Sequence, residues 1–194
     1  MSCIPATPFS RFILYGVIIQ VLSVQILLCS CSNDIDRKMK IMMGNMVEIP
    51  SQLNRVWRDT VLISEDVPKP PFLVVHIDSA DCSSCMIPKL NRFNGIFAES
   101  QRLGKYSLFV IVSPSQEEVL FVTNLVKGQR FIFPVFVDTE NLFDKLNPHI
   151  PPDRRFHCFL TDDSRYPAMI GDPTSSDRLM DLFKVSVNSL SRRK

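Results

Sequence analysis

Hydrophobic residues in this chain occur in short runs that alternate with segments of helical spacing. The clearest run, Phe72–Asp78, is apolar almost throughout and is typical of a strand buried on both faces of a sheet. Similar runs at Tyr106–Val112 and Phe131–Asp138 predict two further strands. Shorter runs at Phe156–Asp162 and Tyr166–Ile170 lie close enough together to form an antiparallel hairpin. These runs predict the strands of one sheet.

Apolar positions with helical spacing lie between the predicted strands. A helix is expected over residues 83–101, with Pro88 in its early turns, and shorter helices over 113–127 and Thr139–Leu146. A last helix follows Gly171. The resulting order is β-α-β-α-β-α-β-β-α. Because strand–helix alternation implies parallel pairing and the hairpin adds an antiparallel edge, the order predicts an α/β fold with a central mixed sheet flanked by helices.

The residues before this regular pattern have a different character. Residues 32–46 have the spacing of a short, methionine-rich amphipathic helix, which we interpret as a packing or tethering helix. Residues 47–63 look extended, and a proline-rich stretch follows them. We therefore divide the chain into a signal peptide at 1–30, a tether with an extended segment at 31–70 and a folded domain at 71–190.

The N-terminal segment has the features of an export signal. Arg11 is the only charged side chain in the first 30 residues, and an apolar run follows it over residues 12–28. The run ends in Leu28-Cys29-Ser30-Cys31, after which charged residues begin at once. A positive start, an apolar middle and a small-residue end are typical of a secretory signal.

The ending Leu-x-Ser-Cys resembles the lipobox of bacterial lipoproteins. The resemblance implies cleavage after Ser30 and a lipid on Cys31, which would anchor the protein in the cell envelope of a Gram-negative-type bacterium, facing the periplasm or the outside. Two alternatives stay open: residues 12–28 could form a short uncleaved transmembrane helix, or a soluble signal could be cleaved nearby. All three alternatives place the folded domain outside the cytoplasm.

Composition and cysteine content narrow the possible functions. The chain has 194 residues, 45% of them hydrophobic, and a formal net charge of +2. It can bury a core, and its near-neutral charge does not indicate a nucleic-acid partner. After removal of the signal and acylation of Cys31, the folded part keeps Cys82, Cys85 and Cys158. This odd number is too small for a disulfide scaffold and indicates one redox or structural pair with a spare thiol.

The candidate chemistry lies in Cys82-Ser83-Ser84-Cys85, directly after the strand Phe72–Asp78. Two cysteines with this spacing at a strand-to-helix junction can close a small disulfide. The first thiol then sits at a helix N-terminus, where free N–H groups and the helix dipole favour the thiolate. Open α/β sheets also place their sites at the carboxyl ends of strands. Thiol–disulfide exchange is the leading hypothesis, and it requires neither a metal nor a cofactor.

This element order, with a CxxC motif after the first core strand, resembles the thioredoxin fold over about residues 70–190. The chain is most similar to the membrane-tethered, extracytoplasmic TlpA-like branch. There a Phe-Leu-Ile-Asp-type strand, a charged turn, a short strand and a glycine lead into the last helix. The corresponding stretch here begins at Phe159-Leu160-Thr161-Asp162 and ends at Gly171-Asp172-Pro173.

The resemblance implies roles for the two cysteines of the motif. Cys82 would be the attacking thiol, and Cys85 would be the buried resolving thiol that releases the mixed disulfide. The chain would then be a membrane-anchored thiol–disulfide oxidoreductase that acts on thiols or disulfides of exported proteins. An alternative is a non-enzymatic lipoprotein of the same fold, with a structural Cys82–Cys85 disulfide and a surface that binds partners.

Three positions depart from the thioredoxin pattern. His76 stands where thioredoxins have a buried carboxylate, so it is either a catalytic proton shuttle or a hydrogen-bonded core residue. Asp81 replaces the usual tryptophan, and its carboxylate would either raise the thiol pKa of the next residue or cap the helix. The usual cis-proline position falls on Phe156, with Pro151 and Pro152 a few residues earlier. Altered substrate docking is the expected consequence.

The remaining cysteine has two possible roles. Cys158 is predicted to lie on the fourth strand near the active pair, as a buried inert thiol or as a third redox partner. His157 beside it raises a third function, a copper-binding chaperone of the thioredoxin-like kind. Such a site would need two thiolates and an imidazole to converge.

Overall fold

The computed structural model describes residues 34–64 and 68–192, and the chain divides into two compact units, Met1–Lys40 and Ile41–Lys194. The predicted signal, its apolar run and Cys31 lie outside the described residues. Within the described ranges, no helix combines the length and the apolar character needed to cross a membrane. The described residues of the first unit, 34–40, lie in a helix, α1 (residues 34–43).

The second unit is built on a seven-stranded mixed sheet. Its strands are β1 (Leu53–Trp57), β2 (Thr60–Ser64), β3 (Phe72–Ile77), β4 (Ser107–Val112), β5 (Val135–Val137), β6 (Cys158–Thr161) and β7 (Pro167–Ile170). Their spatial order is β2-β1-β5-β4-β3-β6-β7. Strands β3, β4 and β5 are parallel, whereas β6 and β7 pair antiparallel beside β3, as the hairpin pattern predicted.

The helices connect these strands in the predicted sequence. They are α2 (Ser83–Met86), a 3₁₀ helix (Ile87–Phe93), α3 (Asn94–Leu103), α4 (Val119–Lys127), α5 (Leu142–Leu146), a second 3₁₀ helix (Arg154–Phe156) and α6 (Asp177–Ser191). The single helix predicted over 83–101 is interrupted by the first 3₁₀ helix. Pro88 lies in its first turn and has no N–H to donate, which breaks the regular α-helical ladder.

Helices cover one face of the sheet and form the larger core there. Successive residues of a strand point to opposite faces, so Leu73, Val75 and Ile77 of β3 share one side. They belong to one buried cluster with Leu90 of the first 3₁₀ helix and Phe183 of α6. All six residues of β3 are buried, so the opposite face of the sheet is covered as well.

The opposite face carries a row of aromatic side chains. Phe109 of β4 lies between Phe72 of β3 and Phe136 of β5, with ring centroids 6.0 and 4.9 Å away. All three rings are buried, as is Phe143 of α5. Aromatic rings at these distances stabilise the fold by more than the burial of their apolar area alone.

The extended segment before residue 71 belongs to the sheet. β1 and β2 form a hairpin that turns at Arg58, whose φ of 55° is left-handed. β1 then pairs antiparallel with β5 and buries Leu53 and Val56. The folded unit therefore begins well before the predicted boundary at residue 71. That pairing joins residues about 80 positions apart, and local periodicity carries no information on such long-range contacts.

The central strands have the arrangement that the sequence predicted. β3 and β4 are parallel, β6 and β7 follow as an antiparallel pair, and α6 closes the fold. Strand β5, which follows α4, pairs with β4 and extends the sheet on one side, and the β1–β2 hairpin extends it further. The architecture is a mixed α/β sheet of the thioredoxin-like kind.

Candidate active site

The Cys82–Cys85 disulfide lies beyond the carboxyl end of β3. A turn leads from that strand to Cys82, which is the N-cap of α2. Asp78 fixes the turn, since its Oδ1 accepts hydrogen bonds from the backbone N–H groups of Ala80 and Asp81 at 2.8 and 3.0 Å. The two cysteines are joined in a disulfide with their Cα atoms 5.3 Å apart. The fold therefore holds the pair at the edge of the sheet where the sequence predicted it.

Both cysteines of the motif are exposed, so the prediction of a buried Cys85 is wrong. Residues four apart lie on the same face of a helix, and Ser83 and Ile87 take the buried face here. Cys85 therefore falls on the outer side. The hydroxyl of Ser84 lies 3.4 Å from the Cys82 Sγ, where it can donate a hydrogen bond to sulfur.

Asp81 forms an ion pair and does not cap the helix. The Nε of Arg154 lies 3.0 Å from its Oδ1, and the Asp81 side chain is only 6% exposed. The N-cap of α2 is Cys82 and has no side-chain capping bond. Arg154 also places a terminal nitrogen 3.0 Å from the Sδ of Met86. This arginine therefore contacts the residues that flank the motif on both sides.

A cleft of about 470 Å³ opens beside the motif. Its lining is apolar at Val75, Ile77, Leu90, Ile170 and Leu179 and charged at Asp81, Arg92, Arg154, Arg155 and Asp172. A second ion pair, between Arg92 and Asp172 at 2.6 Å, joins the first 3₁₀ helix to the loop after β7. The cleft is large enough for a few side chains of a polypeptide, and the pairs Arg154–Asp81 and Arg92–Asp172 span it.

The position that a cis-proline takes in thioredoxins is structured differently. Phe156 ends the second 3₁₀ helix and is buried. Within the part of the chain that the structure describes, the one cis peptide bond joins Pro70 and Pro71, near the opposite end of β3. Neither Pro151 nor Pro152 provides the missing feature. A docked substrate would therefore meet the 3₁₀ helix at this side of the disulfide.

His76 lies in the core, with the partners of a structural residue. Its Nε2 lies 3.1 Å from the hydroxyl of Ser113 and 3.7 Å from Asp144. Its ring packs 4.8 Å from that of Phe143 and 5.2 Å from that of His157. Alternation along β3 directs His76 away from the face that holds Leu90 and α2. These contacts favour the core alternative, while the proton-shuttle role stays a prediction.

Burial sets the charge state of His76. Desolvation, followed by the neighbouring His157, lowers the pKa of His76 from 6.5 to about 3. The unfolded chain therefore binds a proton as the pH falls below about 6.5, whereas the folded protein does not until about pH 3. Stability contributed by the neutral ring is present above pH 6.5 and is lost on acidification.

We expect the free energy of unfolding to fall by about 2 kcal/mol between pH 7 and pH 5 because of His76 alone. Chemical denaturation at both pH values measures this loss. The His76→Leu variant should be less stable at pH 7 but should lose about 2 kcal/mol less on acidification. Asp144, whose pKa is raised by burial, titrates in both proteins and cancels in the comparison. Equal losses in the two proteins would contradict the assignment.

Cys158 is a free, buried thiol on β6, as predicted. Burial, together with the charge of Asp172, raises its pKa well above the usual range, although Arg92 acts in the opposite direction. A thiol held in its neutral form is a poor nucleophile. The structure therefore favours the inert role over that of a third redox partner.

The copper site considered from the sequence has no ligand set here. Among residues 34–64 and 68–192, no three His, Cys, Asp or Glu side chains come together in a group that could hold a metal ion. The Nε2 of His157 lies 3.1 Å from the carbonyl of Pro151. The two sulfurs of the motif are joined to each other.

Nothing in the sequence indicated the ion pairs of Arg154, Arg92 and Asp172, although Asp172 belongs to the Gly171-Asp172-Pro173 stretch. Arg154 begins a short 3₁₀ helix three residues after Pro151, and nothing local indicates that it pairs with Asp81. Arg92 follows the helical pattern of a solvated position, yet it pairs with Asp172. Ion pairs between residues so far apart in sequence become visible only with the fold.

Comparison with known proteins gives similarity at the level of structure. No protein-family model matches the chain, and no curated protein does. A proposed thiol:disulfide interchange protein, DsbE from Chlorobium tepidum, covers 74% of this chain and 98% of its own, with a TM-score of 0.48 and 11% identity. An uncharacterized thioredoxin-like protein from Porphyromonas gingivalis covers 75% and 93%, with a TM-score of 0.45 and 12% identity.

Similarity at this level does not extend to function, so the chain's own topology and motif carry the classification. Its sheet places the parallel strands β4 and β3 beside the antiparallel hairpin of β6 and β7, and α6 follows. The disulfide lies at the start of α2, one short turn after β3. This chain has a thioredoxin-like fold with a CxxC disulfide, Cys82–Cys85, at its exposed edge.

Proposed function

We propose that this chain is a thiol–disulfide oxidoreductase that acts on exported proteins. The observation that carries the proposal is the placement of Cys82. It is exposed, it is bonded to Cys85 and it begins the helical segment after β3. Exchange requires a sulfur that another protein can reach, and Cys82 meets this requirement.

Each exchange step uses only the two cysteines and a substrate, and turnover in the reducing direction also needs an electron donor that reduces the Cys82–Cys85 disulfide again. In the reducing direction, the Cys82 thiolate attacks a substrate disulfide, forms a mixed disulfide and releases one substrate sulfur as a thiolate that takes up a proton. The Cys85 thiolate then attacks the Cys82 sulfur, which forms the Cys82–Cys85 bond and releases the second substrate sulfur. Two electrons pass to the substrate. The oxidising direction runs the same steps in reverse, starting from the disulfide form.

The surroundings of Cys82 support this chemistry. The helix start favours negative charge on sulfur, and the Ser84 hydroxyl can donate to it. The carboxylate of Asp81 would oppose a thiolate, but Arg154 pairs with it at 3.0 Å. The cleft next to Met86 offers space for the polypeptide that flanks a substrate cysteine.

The sequence supports a membrane-anchored location for this activity. The apolar run over 12–28 and the ending Leu28-Cys29-Ser30-Cys31 suit cleavage after Ser30 and a lipid on Cys31. Several acyl chains would hold the domain on the membrane, facing the periplasm or the outside of a Gram-negative-type cell. Incorporation of a labelled fatty acid tests this part, since Cys31→Ala should abolish the label, and labelling equal to wild type would contradict it.

An activity assay tests the proposal directly. The purified protein should accelerate insulin reduction by dithiothreitol or the reactivation of scrambled ribonuclease at least tenfold over the uncatalysed rate. The Cys82→Ser variant is the control and should fall close to that background, because the thiol at the helix start is gone and the remaining Cys85 has no partner with which to close the disulfide. Wild-type rates no higher than those of the variant in both assays would contradict the proposal.

A second function is favoured by the departure at Phe156. Because a short 3₁₀ helix that ends in buried Phe156 replaces the substrate-docking proline of thioredoxins, a binding module with a structural Cys82–Cys85 disulfide would use the same fold without turnover. The two functions differ in the assay above, since the binding module predicts no activity for wild type.

A further inference from the structure

Two ion pairs span the cleft next to the disulfide, and one of them reaches the residue before Cys82. Asp81 is 6% exposed at its side chain, and its Oδ1 lies 3.0 Å from the Nε of Arg154. A carboxylate so poorly solvated requires a partner. It is also close enough to Cys82 along the chain for its charge to act on that sulfur.

The fold holds Arg154 in this position from the other side of the cleft. Arg154 begins the 3₁₀ helix before β6, and this helix is fixed at one end by buried Phe156. At its start, the Asp153 carboxylate accepts a hydrogen bond from the backbone N–H of Arg155 at 3.0 Å. The second contact of Arg154, 3.0 Å to the Sδ of Met86, braces the guanidinium against α2.

We propose that Arg154 is a positioning residue that sets the redox poise of the Cys82–Cys85 disulfide by neutralising Asp81. With the arginine in place, the negative charge beside Cys82 is offset and the reduced form keeps a stable thiolate. Without Arg154, the unpaired carboxylate of Asp81 repels the Cys82 thiolate and destabilises it. Because stabilising the thiolate stabilises the reduced protein, Arg154 makes the disulfide a stronger oxidant.

Neighbouring arginines do not take this role. Arg155 is engaged by Asp153, which lies 2.9 Å from its Nε through one carboxylate oxygen and 3.0 Å through the other. Arg92 pairs with Asp172 across the cleft at 2.6 Å. Arg155 is therefore a matched control, since it has the same side chain, lies on the same short helix and lines the same cleft.

The test measures equilibria and uses the full chain. Wild type, Arg154→Gln, Asp81→Asn, the double variant and Arg155→Gln are equilibrated with glutathione buffers, and the pH dependence of Cys82 alkylation is followed in the reduced proteins. Arg154→Gln should raise the pKa of Cys82 by about one pH unit. It should also favour the disulfide about tenfold more, a potential lower by about 30 mV.

The remaining variants locate the effect. Asp81→Asn should shift both readouts in the opposite direction, because the charge of Arg154 is then unopposed. The double variant lacks both charges and should return close to wild type. Arg155→Gln should leave both unchanged, and Arg154→Lys, which keeps the charge, should stay within about threefold of wild type. An Arg154→Gln protein with wild-type values would overturn the proposal, as would a double variant that still shows the full shift of Arg154→Gln.

The biological use of this inference rests on the proposed function, but its measurement does not. The glutathione equilibrium needs no protein substrate. A wild-type chain that is inactive toward insulin and ribonuclease would therefore overturn the oxidoreductase proposal. The effect of Arg154 on the reduction potential would still be decided by the glutathione equilibrium alone.

Discussion

The Cys85→Ser variant is expected to accumulate as a mixed disulfide through Cys82 when it is mixed with a disulfide substrate. Removal of the second thiol leaves the first step intact and blocks the release step. Cys82 begins α2, whereas Cys85 lies one turn further along, so the helix terminus favours ionisation of Cys82. Mass spectrometry after acid quenching measures the trapped adduct.

The matched control is Cys82→Ser, which keeps Cys85 as the free thiol of the motif. Both cysteines are exposed, so accessibility alone would predict equal trapping. We expect at least tenfold slower adduct formation at Cys85, because it lacks the position at the helix start. Similar rates for the two variants would show that the fold does not distinguish the sulfurs and that Cys82 is not a dedicated nucleophile.

Phe109→Ala is expected to cause the largest loss of stability that we predict, about 3–5 kcal/mol. Phe109 is fully buried in β4 and lies between Phe72 and Phe136 in the aromatic row. Truncation leaves a cavity that two neighbouring rings on separate strands cannot fill without moving the sheet. Urea denaturation with an unchanged m-value measures the loss.

The control for this variant is Phe121→Ala on α4. The Phe121 side chain is 52% exposed, so its truncation creates no cavity and should change stability by less than about 1 kcal/mol. If Phe109→Ala lowers the free energy of unfolding by no more than the control does, Phe109 does not belong to an aromatic core on this face of the sheet.

The central elements were predictable because their periodicity is strong. Phe72–Ile77 forms a continuous apolar run, and the structure buries all of it as β3. The hairpin of β6 and β7 was also predictable, since only a short polar turn separates two apolar runs. The α/β order then required few topological choices, because parallel strands need crossovers. Local pattern and tertiary structure agree here.

Elements that depend on distant contacts could not be predicted in the same way. β1 and β2 are short strands whose place in the sheet is decided by pairing with β5, far along the chain. Around Pro88, the missing backbone N–H interrupts the α-helix, while the burial of Leu90 keeps the segment helical, and a 3₁₀ helix results. The spacing of apolar residues alone does not predict this outcome. Propensity gives the element types, and packing decides their boundaries.

The candidate site was only partly predictable. The CxxC motif identified the two sulfurs, and the strand before it identified their position. Exposure of Cys85 depends on which face α2 presents, and a four-residue helix gives no periodic signal. The partners of His76 and the pairing of Arg154 with Asp81 come from elements distant in sequence. Charge neutralisation at the site therefore required the structure.

The reduction potential of Cys82–Cys85, measured by equilibrating the purified protein with glutathione buffers, tests the central claim most directly. An exposed disulfide used for exchange predicts a value above about −270 mV, within the range of catalytic CxxC pairs. A value below about −300 mV, together with a Cys82 pKa of about 8.5 or higher in the reduced protein, would identify a structural bridge and contradict the account.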